Sequence, residues 1–410
     1  MNNFYLKYFT SFLLLFSFFC YGKEVSLQPS QNSQEEIQEA LILLQPGDTL
    51  LLREGVYELE DGLSLDVDKV SILGEGHDRT VLSFKNQVSG AQGLLVTSSG
   101  VTLKDFAIED AKGDALKVVG AEGIYMINLR TEWTGGPKST NGAYGLYPVE
   151  SRNVLIDGCI AIGASDAGIY VGQSENIIVR NSLAQYNVAG IEIENSYFAD
   201  VYENEASHNT GGILVFDLPD LPKQGGHHVR VFNNKAINND TDNFAPEGNI
   251  VGLVPRGTGI IIQANSDVEI FNNEISGNGT VNLSIVTFGG ETEDENYYPH
   301  PRSIQVHGNH FGPGGFAPDM SKEAAAIVVE LSKGDIPDIF WDGILPLTQM
   351  ILGQPEEERL VLGDNGEASF MAIKPLHYMI GLPDPVDRNY QNFKGKIVPL
   401  KEVVIKKEDI

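Results

Sequence analysis

The chain has 410 residues, with 28 Lys or Arg against 56 Asp or Glu and a formal net charge of −28. That balance excludes nucleic acid and anionic membrane surfaces as partners, because both are bound through basic patches. A polyanionic polymer is also disfavoured unless a basic stripe or a divalent cation such as calcium offsets the repulsion, and no other cofactor is indicated.

Residues 1–22 read as a signal peptide. Lys7 is their one charge, Phe12 to Phe19 are apolar but too few to span a bilayer, and Cys20-Tyr21-Gly22 suits cleavage after Gly22. Phe19 is too large for a lipobox, which argues against lipidation at Cys20. No later stretch is long and apolar enough for a membrane helix, so the expectation is an exported protein, periplasmic or secreted, that is not integral to a membrane. Its oligomeric state leaves no mark on the sequence. Cleavage would leave Cys159 alone, with no intramolecular disulfide and a place in the core.

Residues 23–92 read as an N-terminal cap and first coils. Ser33 with Glu36 fits a capping box, and Ile37, Leu41 and Leu44 repeat at helical spacing. Such a helix would cover the open apolar end of the first coil. Strands are expected over 49–59, 63–76 and 80–84.

Residues 93–311 are repeats. Gly168-Ile169, Gly190-Ile191 and Gly212-Ile213 lie 22 residues apart, with further copies at Gly145 and Gly259. A period in the twenties with alternating apolar residues means stacked β coils. Asn181, Asn204, Asn233, Asn234, Asn272, Asn273 and Asn309 recur at strand ends, where they suit turns and stacked hydrogen bonds. Three excursions, 131–142, 218–227 and 240–257, interrupt the rhythm and would wall a groove. Residues 312–410 lose the repeat and read as an irregular C-terminal cap.

Aligning the coils on Gly-Ile turns one column away from the bore, since side chains alternate along a strand. It reads Lys117, Tyr147, Tyr170, Glu192, Leu214, Ile261. Two residues on, the next reads Val119, Val149, Gly172, Glu194, Phe216, Gln263. Tyrosine faces stack on sugar rings, while Lys and Glu serve proton transfer. Tyr147, Tyr170, Glu192 and Glu194 are therefore candidate substrate-binding residues on an exposed sheet face. His227-His228, His300 and His307-x-x-His310 are the only metal-ligand candidates, and their strand positions do not assure a ligand set.

The PGDTLLLREGVYEL entry and the repeats resemble the bacterial secreted right-handed parallel β-helix proteins of the pectin-lyase-like superfamily. YG-x-YPV at 144–149, SDAGIYVGQS at 165–174 and AGIEIENS at 189–196 carry the likeness. It implies an all-β, right-handed parallel β-helix with an N-terminal capping helix. Residues 144–149 and 187–191 also align with two motifs of the mannuronan C-5 epimerases. Tyr144 is retained there and Lys117 stands for a neutralising lysine, but Tyr147, Val149 and Ala189 replace the motif Asp and both His. Polygalacturonases, with paired aspartates, find only Asp114 here. The first expectation is thus carbohydrate binding on the Lys117 to Glu192 face. The alternatives are a polysaccharide lyase or uronan epimerase using Lys117, Tyr144 and Tyr147 as catalytic residues, or a periplasmic metal-maturation or structural factor.

Overall fold

The computed structural model describes residues 22–406. Apart from Gly22, the segment read as a signal peptide lies outside them. The chain winds as a single-stranded parallel β-helix with three sheets of 12, 12 and 10 strands. One coil shows the plan. Ala167–Gly172 lies in a front sheet, Glu175–Arg180 in a back sheet and Leu183–Gln185 in a short sheet, and Ala189–Glu194 then returns to the front.

Pairing is parallel and in register, with Ile169 beside Ile191, Ile191 beside Ile213 and Ile213 beside Ile260. Their partners Val171, Ile193, Val215 and Ile262 form a second inward stack, and all are fully buried in one continuous core. Cys159 lies in that core as well, and burial pushes its thiol up to about 12, which leaves it an inert packing residue.

The Gly-Ile period has a steric cause. A Cβ on Gly190 would come within 2.6 Å of the Gly212 carbonyl oxygen and 2.8 Å of Asn209 Nδ2. Gly168, Gly212 and Gly259 meet Asn187, Asn239 and Asn278 in the same way. These four asparagines form a buried ladder at the turn from short to front sheet, each Nδ2 or N–H donating to the next Oδ1 at 3.0–3.2 Å. The period therefore records a backbone and an amide packed against each repeat, leaving no room for a side chain.

A second ladder runs through Ser182, Asn204, Asn234, Asn273, Asn309 and Asn365. The asparagines noted at strand ends thus divide into two kinds. Asn204, Asn234, Asn273 and Asn309 are buried rungs, whereas Asn181, Asn233 and Asn272 occupy left-handed turns at φ 51°, 54° and 55°. Both uses exploit the short amide, which bonds locally and tolerates αL.

The N-terminal helix spans Ser33–Leu43 and buries Ile37 and Leu41 over the first coil. Ser33 begins the helix without capping it, and Glu36 reaches Ser30 Oγ instead. The expected strands 49–59 and 63–76 each split at a corner, because a coil this narrow turns every few residues. The sheets also extend past Phe311. Ile339–Trp341 and Phe370–Ile373 continue the front sheet, Val361–Leu362 continues the back sheet, and an antiparallel strand Val386–Asp387 ends the stack. From there residues 397–406 run down the back sheet. The Val398 backbone pairs with the Gln305 amide, Leu400 N–H donates to Glu269 and Val403 N–H to Asp200.

Candidate active site

The column expected to face away from the bore does so. Tyr147 pairs with Lys117, Tyr170 with Glu192 and Glu192 with Leu214. It is not, however, an exposed face. Tyr170 is 4% and Glu192 1% exposed, because loops cover the front sheet there. Leu218, Val251 and Val254 from those loops pack with Tyr170, Leu214 and Phe216 into a second apolar cluster outside the bore.

Specific hydrogen bonds hold the cover. Asn195 Nδ2 donates to the carbonyls of Leu218 and Lys223 at 2.8 and 2.9 Å, and its Oδ1 accepts the Leu218 N–H. Asn243 Nδ2 donates to the carbonyls of Val251 and Val254, closing the 240–257 excursion around a short 3₁₀ turn at Ile250–Leu253. A further loop, which the repeat period does not mark, brings Tyr297 OH to the Asp217 carbonyl. The 131–142 excursion instead anchors Trp133, whose indole N–H donates to the Ala111 carbonyl.

Between sheet and cover lies a cavity of about 270 Å³, lined by Tyr144, Asp166, Glu192, Glu194, Asn249 and the apolar residues Ala143, Leu218, Ile250 and Val251. Glu194 Oε1 accepts from Tyr170 OH at 2.6 Å and from Gln173 Nε2 at 3.2 Å. Asp166 Oδ2 accepts from Asn249 Nδ2 at 3.1 Å. Glu192 Oε2 is buried and has no hydrogen-bond partner. Tyr144, Tyr147 and Tyr170 pack with ring centroids 4.3–5.0 Å apart.

Burial dominates the electrostatics. It pushes Asp166 up to about 7, aided by the neighbouring Glu194 charge, with the Tyr144 and Asn249 hydrogen bonds opposing. Glu194 is also raised to about 7 by burial, against the Tyr170 and Gln173 hydrogen bonds that favour its charged form. Glu192 has no such donor, and burial beside Glu194 and Asp166 holds it well above the usual carboxylate range. Nothing near Glu192 thus favours its charged form, whereas two donors favour that of Glu194. Buried carboxyls separated in this way by their surroundings are the mark of an acid–base pair.

The tyrosines behave differently. Burial pushes Tyr147 up to about 12 and Tyr144 and Tyr170 higher still, so none supplies a phenolate base near neutrality. Lys117 lies outside the cavity, 3.9 Å from Asp114 and 4.7 Å above the Tyr147 ring. Asp114, below the same face, is raised to about 6 by burial despite Lys117.

Of the sequence candidates, Tyr144, Glu192 and Glu194 line the cavity, Tyr147 and Tyr170 pack behind it and Lys117 stands apart. Asp166 and Asn249 were missed. Asp166 falls just before strand Ala167–Gly172, off both outward columns, and its one signal was the Ser-Asp-Ala-Gly opening of that repeat. Asn249 sits in an aperiodic loop and carried no signal. Among the described residues no group of three or more His, Cys, Asp or Glu is arranged to hold a metal ion. His227 and His228 pack on each other and on Phe198, and His307 bonds Glu269 at 2.9 Å.

The chain is similar to the A-module of the Azotobacter vinelandii mannuronan C-5 epimerase AlgE6, at 15% identity and a TM-score of 0.49, over 84% of this chain and 92% of that one. It is also similar to the family 28 exopolygalacturonase of Yersinia enterocolitica, at 10% identity and a TM-score of 0.43, over 85% of this chain and 70% of that one. No curated protein matches the sequence. Residues 70–241 match the family described as right handed beta helix region, and with coils stacked in parallel register along three sheets the chain is a right-handed parallel β-helix protein.

Proposed function

We propose that this protein is a carbohydrate-active enzyme whose cavity performs acid–base cleavage of a glycosidic bond. One observation carries the reading. Glu192 is a buried carboxyl with an oxygen free of any partner, in a cavity it shares with two further buried carboxyls, and burial raises all three above the usual carboxylate range.

Burying three carboxyls side by side costs several kcal/mol of folding free energy, since raising a carboxyl pKa by one costs about 1.4 kcal/mol. A purely structural role would favour apolar residues of similar volume. The cavity wall also suits a sugar, combining an aromatic face at Tyr144 with acceptors for hydroxyl groups at Asp166, Glu194 and Asn249.

In the proposed step Glu192 donates its proton to the glycosidic oxygen as the bond from that oxygen to C1 breaks. Water attacks C1 and gives up a proton to Glu194, so that one acetal and one water become two sugars. Glu194 is the better base because Tyr170 and Gln173 stabilise its ionised form. The lyase or epimerase alternative requires a cation for the substrate carboxylate, and Lys117 is already engaged by Asp114 and the Tyr147 ring.

The test is reducing-sugar release from a panel of glycans by the full chain and by Glu192→Gln. Turnover that falls roughly 10²–10⁴-fold in the folded variant supports the reading, this being the usual weight of a general acid. Formation of unsaturated ends in place of new reducing ends would move it to the lyase alternative.

A further inference from the structure

We infer that the C-terminal end of the β-helix binds a small anionic amphiphile, an apolar chain with a carboxylate head, in a second cavity that lies against the last coils. This site shares no residue with the carboxyl cavity described above.

The two ends of the bore are finished differently. A solenoid must cover the apolar residues of its terminal coils, and at the start Ile37 and Leu41 do so from the N-terminal helix. At the other end the inward column of Ile285 continues through Trp341 to Ala372. A cavity of about 410 Å³ opens on these two residues, and Leu360 and Phe393 extend its apolar floor. Helices Leu347–Leu352 and Pro375–Met379 contribute its walls, yet neither buries a residue. They instead expose Leu347, Ile351, Leu352 and Met379. The core therefore ends in a hollow with unpartnered apolar side chains beside it, which marks a binding site and not a finished cap. Its volume falls within the roughly 300–1,000 Å³ of small-molecule sites.

Charge gives the head group. Acidic residues outnumber basic ones by 56 to 28 in the chain, yet this wall holds Arg359, Lys374 and His377 against Asp387 alone. Both Asp387 oxygens are engaged, one by the Asn389 N–H and the other by Asn392 Nδ2, at 2.8 Å each. Every other arginine pairs with a carboxylate or, at Arg302, stands over the Tyr298 ring. Arg359 donates to the Asn392 carbonyl at 3.2 Å, and among the described residues no carboxylate pairs with it or with Lys374. A carboxylate head would gain charge-assisted hydrogen bonds from both cations. Each methylene of its tail buried on the floor would strengthen binding about fourfold. A second copy of the chain fits less well, since each copy would bring a net charge of −28 to the contact.

The chain has two tryptophans, and Trp133 is bonded to the Ala111 carbonyl in an early coil, so a change in Trp341 emission reports the cavity. Decanoate is titrated into the full chain below its micelle concentration, with decanol as the tail alone and acetate as the head alone. Calorimetry and tryptophan emission are read together. The expected result is one decanoate per chain with an emission change that Trp341→Phe abolishes, decanol about tenfold weaker or more, and acetate without measurable binding. Replacing Arg359 and Lys374 together by Gln should weaken decanoate about tenfold or more at an unchanged melting temperature. No saturable decanoate binding overturns the inference, as does binding that leaves Trp341 emission unaltered. Decanol that binds as tightly as decanoate, or a double variant that binds decanoate undiminished, overturns the anionic head. Self-association in sedimentation that Leu352→Asp abolishes would assign the hollow to a second copy and overturn the inference as well.

Discussion

Replacing Asn234 by Ala should cost the β-helix about 3–9 kcal/mol. Asn234 Oδ1 accepts from both the N–H and the Nδ2 of Asn204 at 3.0 Å, while its own Nδ2 donates to the Val201 carbonyl at 2.9 Å and to Asn273 Oδ1 at 3.0 Å. All of these groups are buried. Alanine strands two donors of Asn204 and the Val201 carbonyl, each worth about 1–3 kcal/mol when buried without a partner. Asn234→Ser should recover part of the loss, because Ser182 fills the equivalent rung and its Oγ accepts the Cys159 N–H at 3.1 Å. Asn181, an exposed turn residue bonded to Asp157, supplies the control, with a loss of about 1–2 kcal/mol from the αL preference of asparagine. Urea unfolding followed by circular dichroism reads all three. A loss below 1 kcal/mol for Asn234→Ala, or equal losses for the Asn234 and Asn181 variants, would refute the ladder as a main source of stability.

Stability should fall as pH rises from about 4 to 7. Asp166 and Glu194 stay protonated to about 7 in the folded chain and ionise in the range ordinary for carboxylates when it unfolds. Each therefore stabilises fully below the unfolded pKa and loses that contribution at about 1.4 kcal/mol per pH unit. Glu192→Gln should flatten the slope, and urea midpoints at pH 5 and 7 that do not differ between the two proteins would contradict this. Gly190→Ala should cost about 1–3 kcal/mol through overpacking against Gly212 and Asn209, and a neutral result would remove the steric reason for the repeat. Truncation after Gly395 should lower the melting temperature by uncovering Tyr125, Leu155 and Ile178, against which Val403 and Ile405 pack. It should leave turnover unchanged, since residues 397–406 lie on the back sheet, and a matching loss of turnover would link that segment to the cavity.

The sequence carried the fold because the coil repeats its constraints. A glycine facing an amide and a carbonyl, followed by an inward isoleucine, must recur whenever one coil stacks on another, and this aligned the outward columns correctly. Tyr170, Glu192 and Glu194 were found by that alignment. Their burial was not visible, since it depends on Leu218, Val251 and Val254, which reach the sheet from loops of unrelated length and pattern. The cover changes the chemistry. On an exposed face Glu192 and Glu194 would be ordinary surface carboxylates and Tyr170 a sugar platform, whereas beneath the loops Tyr170 becomes a hydrogen-bond donor to Glu194. The last coils escaped notice for a related reason. Ile339–Trp341, Val361–Leu362 and Phe370–Ile373 keep their sheet positions, but the helices and loops between them erase the period.

The central claim is that burial in the cavity lifts Glu192 well above the usual carboxylate range, and it can be measured without knowing the substrate. A pH titration of the side-chain carboxyl carbons in glutamate-labelled protein by carbon-13 NMR, with Glu192→Gln to assign the resonance, reports its ionisation directly. The account predicts a Glu192 carboxyl that titrates well above the ordinary glutamate range, with Glu194 titrating at about 7. A Glu192 resonance that ionises between about pH 4 and 5, as an ordinary glutamate does, would contradict it.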